Sequence, residues 1–325
     1  MAKALIQRDK NGPISWSDVS DDEFPGESVT VRVSHSALNY KDALAITGRA
    51  PIFRRFPMIA GIDLAGVVED DESGTFSRGA QVLATGNGLG ENHWGGYAER
   101  ARLKPEWLIP LPELLSPVEA MAIGTAGLTA MLSILALEKF GLGKDDGPVL
   151  VTGATGGVGG HAVSLLAARG YDVVAATGRP AEAEYLRGIG AAEILERAEL
   201  EVEPKPLAKE RWAGAVDVLG GRALVNVLSG LRYGCAVAAS GLAQSMSLPA
   251  TVAPFILRSV SLLGVDSVAA SPRMRSEAWA ELARTTHKSA LGRMTSVHPL
   301  SAVQSLAVQL LDQKARGRVV LQIAE

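Results

Sequence analysis

The stretch Val149-Leu-Val-Thr-Gly-Ala-Thr-Gly-Gly-Val-Gly-Gly-His-Ala162 decides how this chain is read. Val149, Leu150 and Val151 predict a short apolar strand. Glycines follow at 153, 156, 157, 159 and 160, and an apolar-periodic helix runs on through Ala162, Leu165, Leu166 and Ala168. Strand, tight turn and helix in that order make a cradle for a diphosphate. Glycine lets the backbone turn sharply and approach the ligand, and the helix N-terminus offers free N–H groups and partial positive charge. A glycine run alone is weak evidence. The second strand expected over Val173–Ala176, which a dinucleotide fold requires after its first helix, strengthens it.

The end of that second strand speaks to the cofactor. A site for NAD places Asp or Glu there, to accept from the ribose 2′-hydroxyl. Here the strand ends Thr177-Gly-Arg179-Pro180, with no acid at the tip. A guanidinium at that position pairs with a 2′-phosphate and stacks on adenine, and a threonine hydroxyl donates to the same phosphate. The expected cofactor is NADP(H).

Composition sets the bounds. The chain has 325 residues, 47% hydrophobic and 21% charged, enough for one large or two ordinary domains with a full core. A net charge of −3 gives no polycationic surface for nucleic acid or an anionic membrane. The one cysteine, Cys235, excludes an internal disulfide and a cysteine zinc cluster. The N-terminal residues have no long apolar core of a signal peptide, and no apolar run is read as membrane-spanning. A soluble cytoplasmic protein is expected.

Residues 1–120 read as short strands (Ala4–Gln7, Val29–Val33, Gly61–Glu69, Gln81–Ala84) broken by Gly, Pro and Asp, which suggests a small barrel. Ser116-Pro117 with Glu119 opens a helix over Ser116–Leu137 and a domain joint. Residues 122–268 alternate strand and helix, the pattern of a doubly wound parallel sheet: helix Glu182–Gly188, then strands at Glu193–Leu195, Ala215–Leu219, Ala236–Ala239 and Ser261–Val265. The charged stretch Glu196–Arg211 is read as a solvated helix or loop. Residues 272–325 hold amphipathic helices at Arg275–Thr286 and Ser301–Gln313 and a last strand, Arg318–Ile323, expected to rejoin the first domain. The fold class is α/β.

With these segments in view the chain resembles the medium-chain dehydrogenase/reductase family, in its zinc-free quinone oxidoreductase branch and within that the acrylyl-CoA reductase group. The resemblance covers the whole chain. It rests on Ala37-Leu-Asn-Tyr-Lys-Asp-Ala-Leu44, Phe56-Pro-Met-Ile-Ala-Gly-Ile-Asp-Leu-Ala-Gly66 and Gly88-Leu-Gly-Glu-Asn-His-Trp-Gly-Gly-Tyr-Ala-Glu99. Thr152–Gly159, Thr177-Gly-Arg179, Pro254-Phe-Ile-Leu-Arg258, Gly264-Val-Asp-Ser267 and Gly317-Arg318 add to it. Zinc-dependent relatives carry His-Glu where this chain has Ile62-Asp63, and a four-cysteine lobe that is absent here. The resemblance implies a GroES-like barrel domain (1–121 and 272–325), a Rossmann domain (122–271) and a homodimer. It implies that Thr155, Gly156, Gly157 and Val158 cradle the diphosphate and that Thr177, Gly178 and Arg179 take the 2′-phosphate. It also implies that Leu242, Ile256 and Ser267 line the nicotinamide half and that Tyr40 and Arg318 touch the cofactor. A basic residue frequent in the group near position 193 is replaced by Glu193.

The implied reaction is conjugate reduction of an acyl-CoA thioester, most directly acrylyl-CoA to propionyl-CoA. It needs a hydride to the β-carbon, a donor for the developing enolate oxygen and a proton for the α-carbon. Asn39, Tyr40 and Asp42, after a strand, are the candidate catalytic residues: an amide donor, a phenol and an orienting acid. Asn39 and Asp42 also suit the cap of the helix expected over Asp42–Ile46. His93, in a loop, is a weaker candidate. Arg54 and Arg55 are candidate partners of CoA phosphates or simply solvated, and Cys235 is expected to pack beside a strand. The glycine pattern also fits short-chain dehydrogenases, but those need Tyr-x-x-x-Lys, and no tyrosine here has lysine four positions on. A reductase of quinones or enones, or a non-catalytic NADPH-binding sensor or scaffold, are the competing readings.

Overall fold

The computed structural model describes residues 1–323. From the N-terminus come β1 (Ala2–Gln7), β2 (Ile14–Val19), β3 (Val29–Leu38), helix α1 (Tyr40–Thr47), β4 (Met58–Ile59), β5 (Asp63–Asp71), β6 (Gln81–Thr85), β7 (Arg100–Leu103) and β8 (Ile109–Pro110). A long helix, α2 (Pro117–Phe140), leads to β9 (Val149–Val151), α3 (Gly157–Ala168), β10 (Val173–Thr177), α4 (Ala183–Gly188), β11 (Glu193–Glu196) and β12 (Trp212–Asp217). Then follow α5 (Gly221–Gly230), β13 (Leu231–Ala239), α6 (Ala253–Arg258), β14 (Ser261–Gly264), α7 (Pro272–Thr285), α8 (Lys288–Met294), β15 (Thr295–Pro299), α9 (Val303–Leu311) and β16 (Arg318–Gln322).

The chain divides into two compact units. The first holds Met1–Thr125, Ser267–Ala283 and the segment from Thr295 onward; the second holds Ala126–Asp266 and Arg284–Met294. Residues 284–294, expected with the barrel, therefore belong to the other unit. The reason is packing: a Cβ on Gly160 of α3 would stand 3.4 Å from Met294 Sδ, and one on Gly188 of α4 would stand 3.7 Å from Arg293.

In the first unit a long sheet runs β15-β16-β3-β5-β6-β8, with β7 also on β3 and a small sheet β2-β1-β4 beside it in sequence. β3 alternates, burying Val29, Val31 and Val33 while exposing Arg32, the period of a strand with one dry face. Its pairing with β5 slips at Thr30/Val31 and at Val33/His35, and such bulges bend a strand as a barrel wall requires. Val29, Val31, Leu64, Val82 and Leu103 fill the interior. β16 lies antiparallel to β3, with Val319 opposite Leu38, and α9 packs its Val303 and Ala307 against Ala43 and Ile46 of α1.

In the second unit six strands lie in the order β11-β10-β9-β12-β13-β14, all pairs parallel. β9 and β10 are buried at every position, as expected of strands covered on both faces. Crossover helices follow β9, β10, β12 and β13, which makes this the doubly wound fold.

α2 corrects two expectations. Its N-terminus is a capping box: the Glu119 amide donates to Ser116 Oγ (3.2 Å) and the Ser116 amide to Glu119 Oε2 (2.8 Å). The helix runs past Leu137 to Phe140 and is broken at Gly124, whose φ of 50° and ψ of −156° are non-helical. It is also long and apolar enough to cross a membrane by composition, with a mean hydropathy of 1.9, contrary to the sequence reading. However, 83% of that window is buried inside the protein, so its apolar surface is already covered.

Candidate functional site

The crest of the second unit is built from the carboxyl ends of its strands. After β9 the chain turns through Gly153 at φ 59° and enters α3. A Cβ on Gly159 would fall on the Gly153 carbonyl oxygen, so only glycine closes this turn. No side chain caps α3, and no acid stands in its first turn. The first-turn amides, which have no acceptor within a helix, are therefore left for an anion at Gly157 and Val158, whereas the Gly156 amide donates to the Gly153 carbonyl (3.0 Å) and closes the turn before them. Thr152, just before the turn, donates its hydroxyl to buried Asp217 of β12 (2.7 Å) and accepts from the Val218 amide (3.1 Å). Asp217 also accepts from the Gly220 amide (2.8 Å). One buried carboxylate, pushed up by its burial, thus ties together the ends of β9 and β12.

Thr155, Thr177 and Arg179 are brought together. The Arg179 Nε donates to Thr155 Oγ1 and its Nη2 to the Thr155 carbonyl, both at 3.2 Å, while the Arg179 amide donates to Thr177 Oγ1 (3.0 Å). Sequence reasoning missed a second cation here. A Cβ on Gly178 would stand 2.8 Å from Arg197 Cζ, so the Arg197 guanidinium lies against the glycine at the strand tip. It is held there by Glu201 at 3.0 Å. The signal was available: β10 and β11 are parallel with Thr177 opposite Glu196, so the residue after β11 emerges at the same sheet end as Thr177. Glu193, where a basic residue was sought, is exposed on β11 itself. Leu242 and Ile256 are 57% and 71% exposed.

The first unit holds a different kind of site, a buried polar cluster around Asp63. Asp63 Oδ2 accepts from Asn39 Nδ2 (2.8 Å) and from the Thr125 amide (2.9 Å), and Oδ1 accepts from the Thr125 hydroxyl. Arg318 Nη2 stands 3.8 Å from Oδ2. The same guanidinium donates to Asn39 Oδ1 (3.0 Å) and to the Ala122 carbonyl (2.9 Å). Arg318 is thus 3% exposed and engaged by protein groups. Gly124 makes the contact possible, since a Cβ there would sit 2.6 Å from Asp63 Oδ2 and 2.9 Å from Arg318 Nη2.

α1 starts on this cluster. Asn39 is its N-cap residue, and Asp42 accepts from the Asn39 amide (2.9 Å) and from the Ile62 amide (3.0 Å). Asp42 is buried, and burial together with the nearby Asp63 charge pushes its carboxyl up to about 7. Burial also raises Asp63, opposed by Arg318 and Thr125, and lowers Arg318, opposed by the two carboxylates. Tyr97, which donates to the Ala37 carbonyl (3.0 Å), is raised by burial and by both acids. Burial thus raises both carboxyls of the pair, while Arg318 and the Thr125 and Asn39 donors oppose the rise at Asp63.

Of the three candidate catalytic residues, Asn39 and Asp42 are buried and committed to the cap and the Asp63 cluster. Tyr40, at the first position of α1, is 49% exposed. Ser267 is buried, and its carbonyl accepts from Arg275 Nη2 (2.8 Å). His93 packs at a tilt against Trp107, with ring centroids 4.5 Å apart. Cys235, half-buried in β13, approaches the Tyr233 carbonyl at 3.7 Å. Among the described residues no group of three His, Cys, Asp or Glu side chains is arranged to hold a metal.

The chain was compared with known proteins. A family model described as alcohol dehydrogenase GroES-like domain matches residues 25–113, and one described as zinc-binding dehydrogenase matches residues 157–285. The chain is similar to the protein named probable acrylyl-CoA reductase AcuI of Escherichia coli K12, 47% identical over 322 residues, covering 99% of both chains. It is also similar to acrylyl-CoA reductase AcuI of Ruegeria pomeroyi, 46% identical over 302 residues, covering 93% of this chain and 92% of the relative. Among solved structures, the yhdH oxidoreductase of Salmonella enterica in complex with NADP superposes with a TM-score of 0.96 at 47% identity, covering 100% of each chain.

Proposed function

Because the chain belongs to the medium-chain dehydrogenase/reductase family, in its zinc-free quinone oxidoreductase branch, we propose that it is an NADPH-dependent reductase of an α,β-unsaturated acyl-CoA, acrylyl-CoA to propionyl-CoA. The observation that carries the cofactor is the tip of β10. No acid stands there, and two guanidiniums, Arg179 and Arg197, flank Thr177 and Gly178. This is the chemistry of a 2′-phosphate, which accepts forked, charge-assisted bonds. The acceptor comes from the names of the two bacterial relatives.

NADPH, when bound, supplies the hydride. The chain's own groups do the rest. The α3 amides and Thr155 hold the diphosphate, and Leu242, Ile256 and Ser267 line the nicotinamide half. Tyr40 is the exposed phenol that donates to the thioester oxygen as enolate charge develops there. Asn39 and Asp42 act through α1: they fix its first turn, and with it the direction of Tyr40. With hydride added at the β-carbon, the alkene electron pair moves toward the thioester oxygen, and as the enolate collapses a proton from solvent water forms a new C–H bond at the α-carbon.

Soluble, cytoplasmic and homodimeric character completes the reading. β14 is an edge strand of the six-stranded sheet, and α6 beside it in sequence exposes Leu257 at 62%. An open edge beside apolar surface suits pairing with a second copy.

The test is NADPH oxidation by the purified protein with acrylyl-CoA, crotonyl-CoA and a simple quinone side by side. The reading predicts that acrylyl-CoA leads in kcat/KM by orders of magnitude. Leadership by the quinone would move the enzyme to the quinone reductases. NADPH binding with no turnover of any acceptor would favour a sensor.

A further inference from the structure

A group of cations in the first unit is used by none of the steps above. Lys41 follows Tyr40 at the start of α1, and its Nζ lies 2.9 Å from Glu91 Oε2. Arg54 comes to the same carboxylate, with Nε 3.8 Å from Oε1, and its amide donates to the Glu91 carbonyl (2.9 Å). Glu91 itself is set by a tight turn: the Gly88 carbonyl accepts from the amides of Glu91, Asn92 and His93 at 3.2, 2.8 and 3.0 Å. One carboxylate thus fixes two cations and leaves the group positive.

Arg55 is exposed and makes no hydrogen bond or ion pair among the described residues. Lys104 Nζ lies 5.2 Å from the centroid of the Trp107 ring against which His93 packs. Burial first, then Lys104 and Arg55, hold the His93 imidazole below its ordinary range, with Glu27 opposing. Lys41, Arg54, Arg55 and Lys104 therefore collect around one ordered loop, facing Glu91 and Glu27, on a chain whose net charge is −3. Composition alone, averaged over the chain, hid this local excess.

We propose that this cluster is the subsite for the phosphate groups of an acyl-CoA, with Arg54 and Arg55 as forked donors and Lys41 as a supporting point charge. The inference rests on the thioester reading above. A phosphate needs geometrically fixed cations with spare donors. Arg54 is fixed at its backbone and only loosely paired, and Arg55 has all its donors free. The residues assigned to the phosphates of NADPH lie in the second unit of the chain, so the two anionic ligands have separate sets of cations.

The experiment is steady-state kinetics of the full chain with acrylyl-CoA and with acrylyl-pantetheine, which has the same thioester and no phosphate, in the wild type and in Arg54→Glu/Arg55→Glu. The double variant is expected to raise KM for acrylyl-CoA by about 10- to 100-fold, the size of one or two lost charge-assisted contacts. The KM for NADPH, kcat and all constants for acrylyl-pantetheine should stay at wild-type values, and added salt should erase the wild type's preference for the CoA ester. An unchanged KM for acrylyl-CoA overturns the subsite. So does an equal loss with both thioesters, or a loss that appears in KM for NADPH. If the wild type reduces neither thioester, the reading of the substrate itself fails and the subsite falls with it.

Discussion

The crest of the second unit and the Asp63 cluster of the first are both polar, and they are built in opposite ways. The crest presents the first-turn amides of Gly157 and Val158 at a helix start without a side-chain cap. The cluster largely satisfies itself: Asp63, Asn39, Arg318 and Thr125 answer one another, and Arg318 Nη2, which makes no hydrogen bond, stands 3.8 Å from Asp63 Oδ2. Unsatisfied donors ask for a ligand. A closed network instead holds backbone in place, here the start of α1 and the Gly124–Thr125 turn. On the proposed function, cofactor affinity belongs to the crest, and the positioning on which turnover depends belongs to the cluster.

The largest expected effect breaks the cluster. Gly124→Ala forces a Cβ onto Asp63 and Arg318 at a φ that only glycine adopts easily, and should cost about 3–5 kcal/mol, read as a fall in the thermal midpoint. Preserved stability would mean that the cluster is loosely packed. The next test uses pH. The folded Asp42 carboxyl titrates near 7, above its unfolded value of about 3.9. A raised carboxyl means the folded state binds its proton more tightly, so this contribution is fully present below about pH 4 and is lost as pH rises through 7. Each tenfold gain in proton affinity on folding is worth about 1.4 kcal/mol, so the whole contribution amounts to a few kcal/mol. Thermal midpoints across that window should fall with rising pH in the wild type and fall less in Asp42→Asn.

Smaller changes sharpen the other side. Arg179→Ala should weaken NADPH by about 10- to 100-fold, with NADH little changed, because only the 2′-phosphate contact is removed. Equal loss for both nucleotides would remove the 2′-phosphate assignment. Ser116→Ala, which opens the capping box of α2, should cost only about 1 kcal/mol and leave both ligand binding and turnover alone.

The two regions also differ in how well they could be read from the sequence. The crest is local: strand, glycines and helix lie within Val149–Ala168, and each residue type states its own backbone need. The alternation of β3 and the cap at Ser116 were legible for the same reason. The cluster joins positions 39, 63, 125 and 318, which no periodicity connects. Arg318 entered only through resemblance, as a cofactor contact, and Asp63 only as the residue standing where zinc relatives have another. Arg197 lay hidden for an intermediate reason, since only the register of β10 on β11 brings it to Gly178. The break in α2 was missed because Gly124 sits in an otherwise strong helical pattern, and what selects the broken form is a carboxylate distant in sequence.

The division of labour between the two regions is tested most directly by measuring NADPH affinity and turnover together in Arg179→Ala and Asp63→Asn. The account predicts that Arg179→Ala loses NADPH affinity while keeping near wild-type kcat at saturating NADPH, and that Asp63→Asn keeps NADPH affinity while kcat falls at least about tenfold, the effect of 1.4 kcal/mol on a barrier. Parallel losses of affinity and turnover in both variants would contradict it.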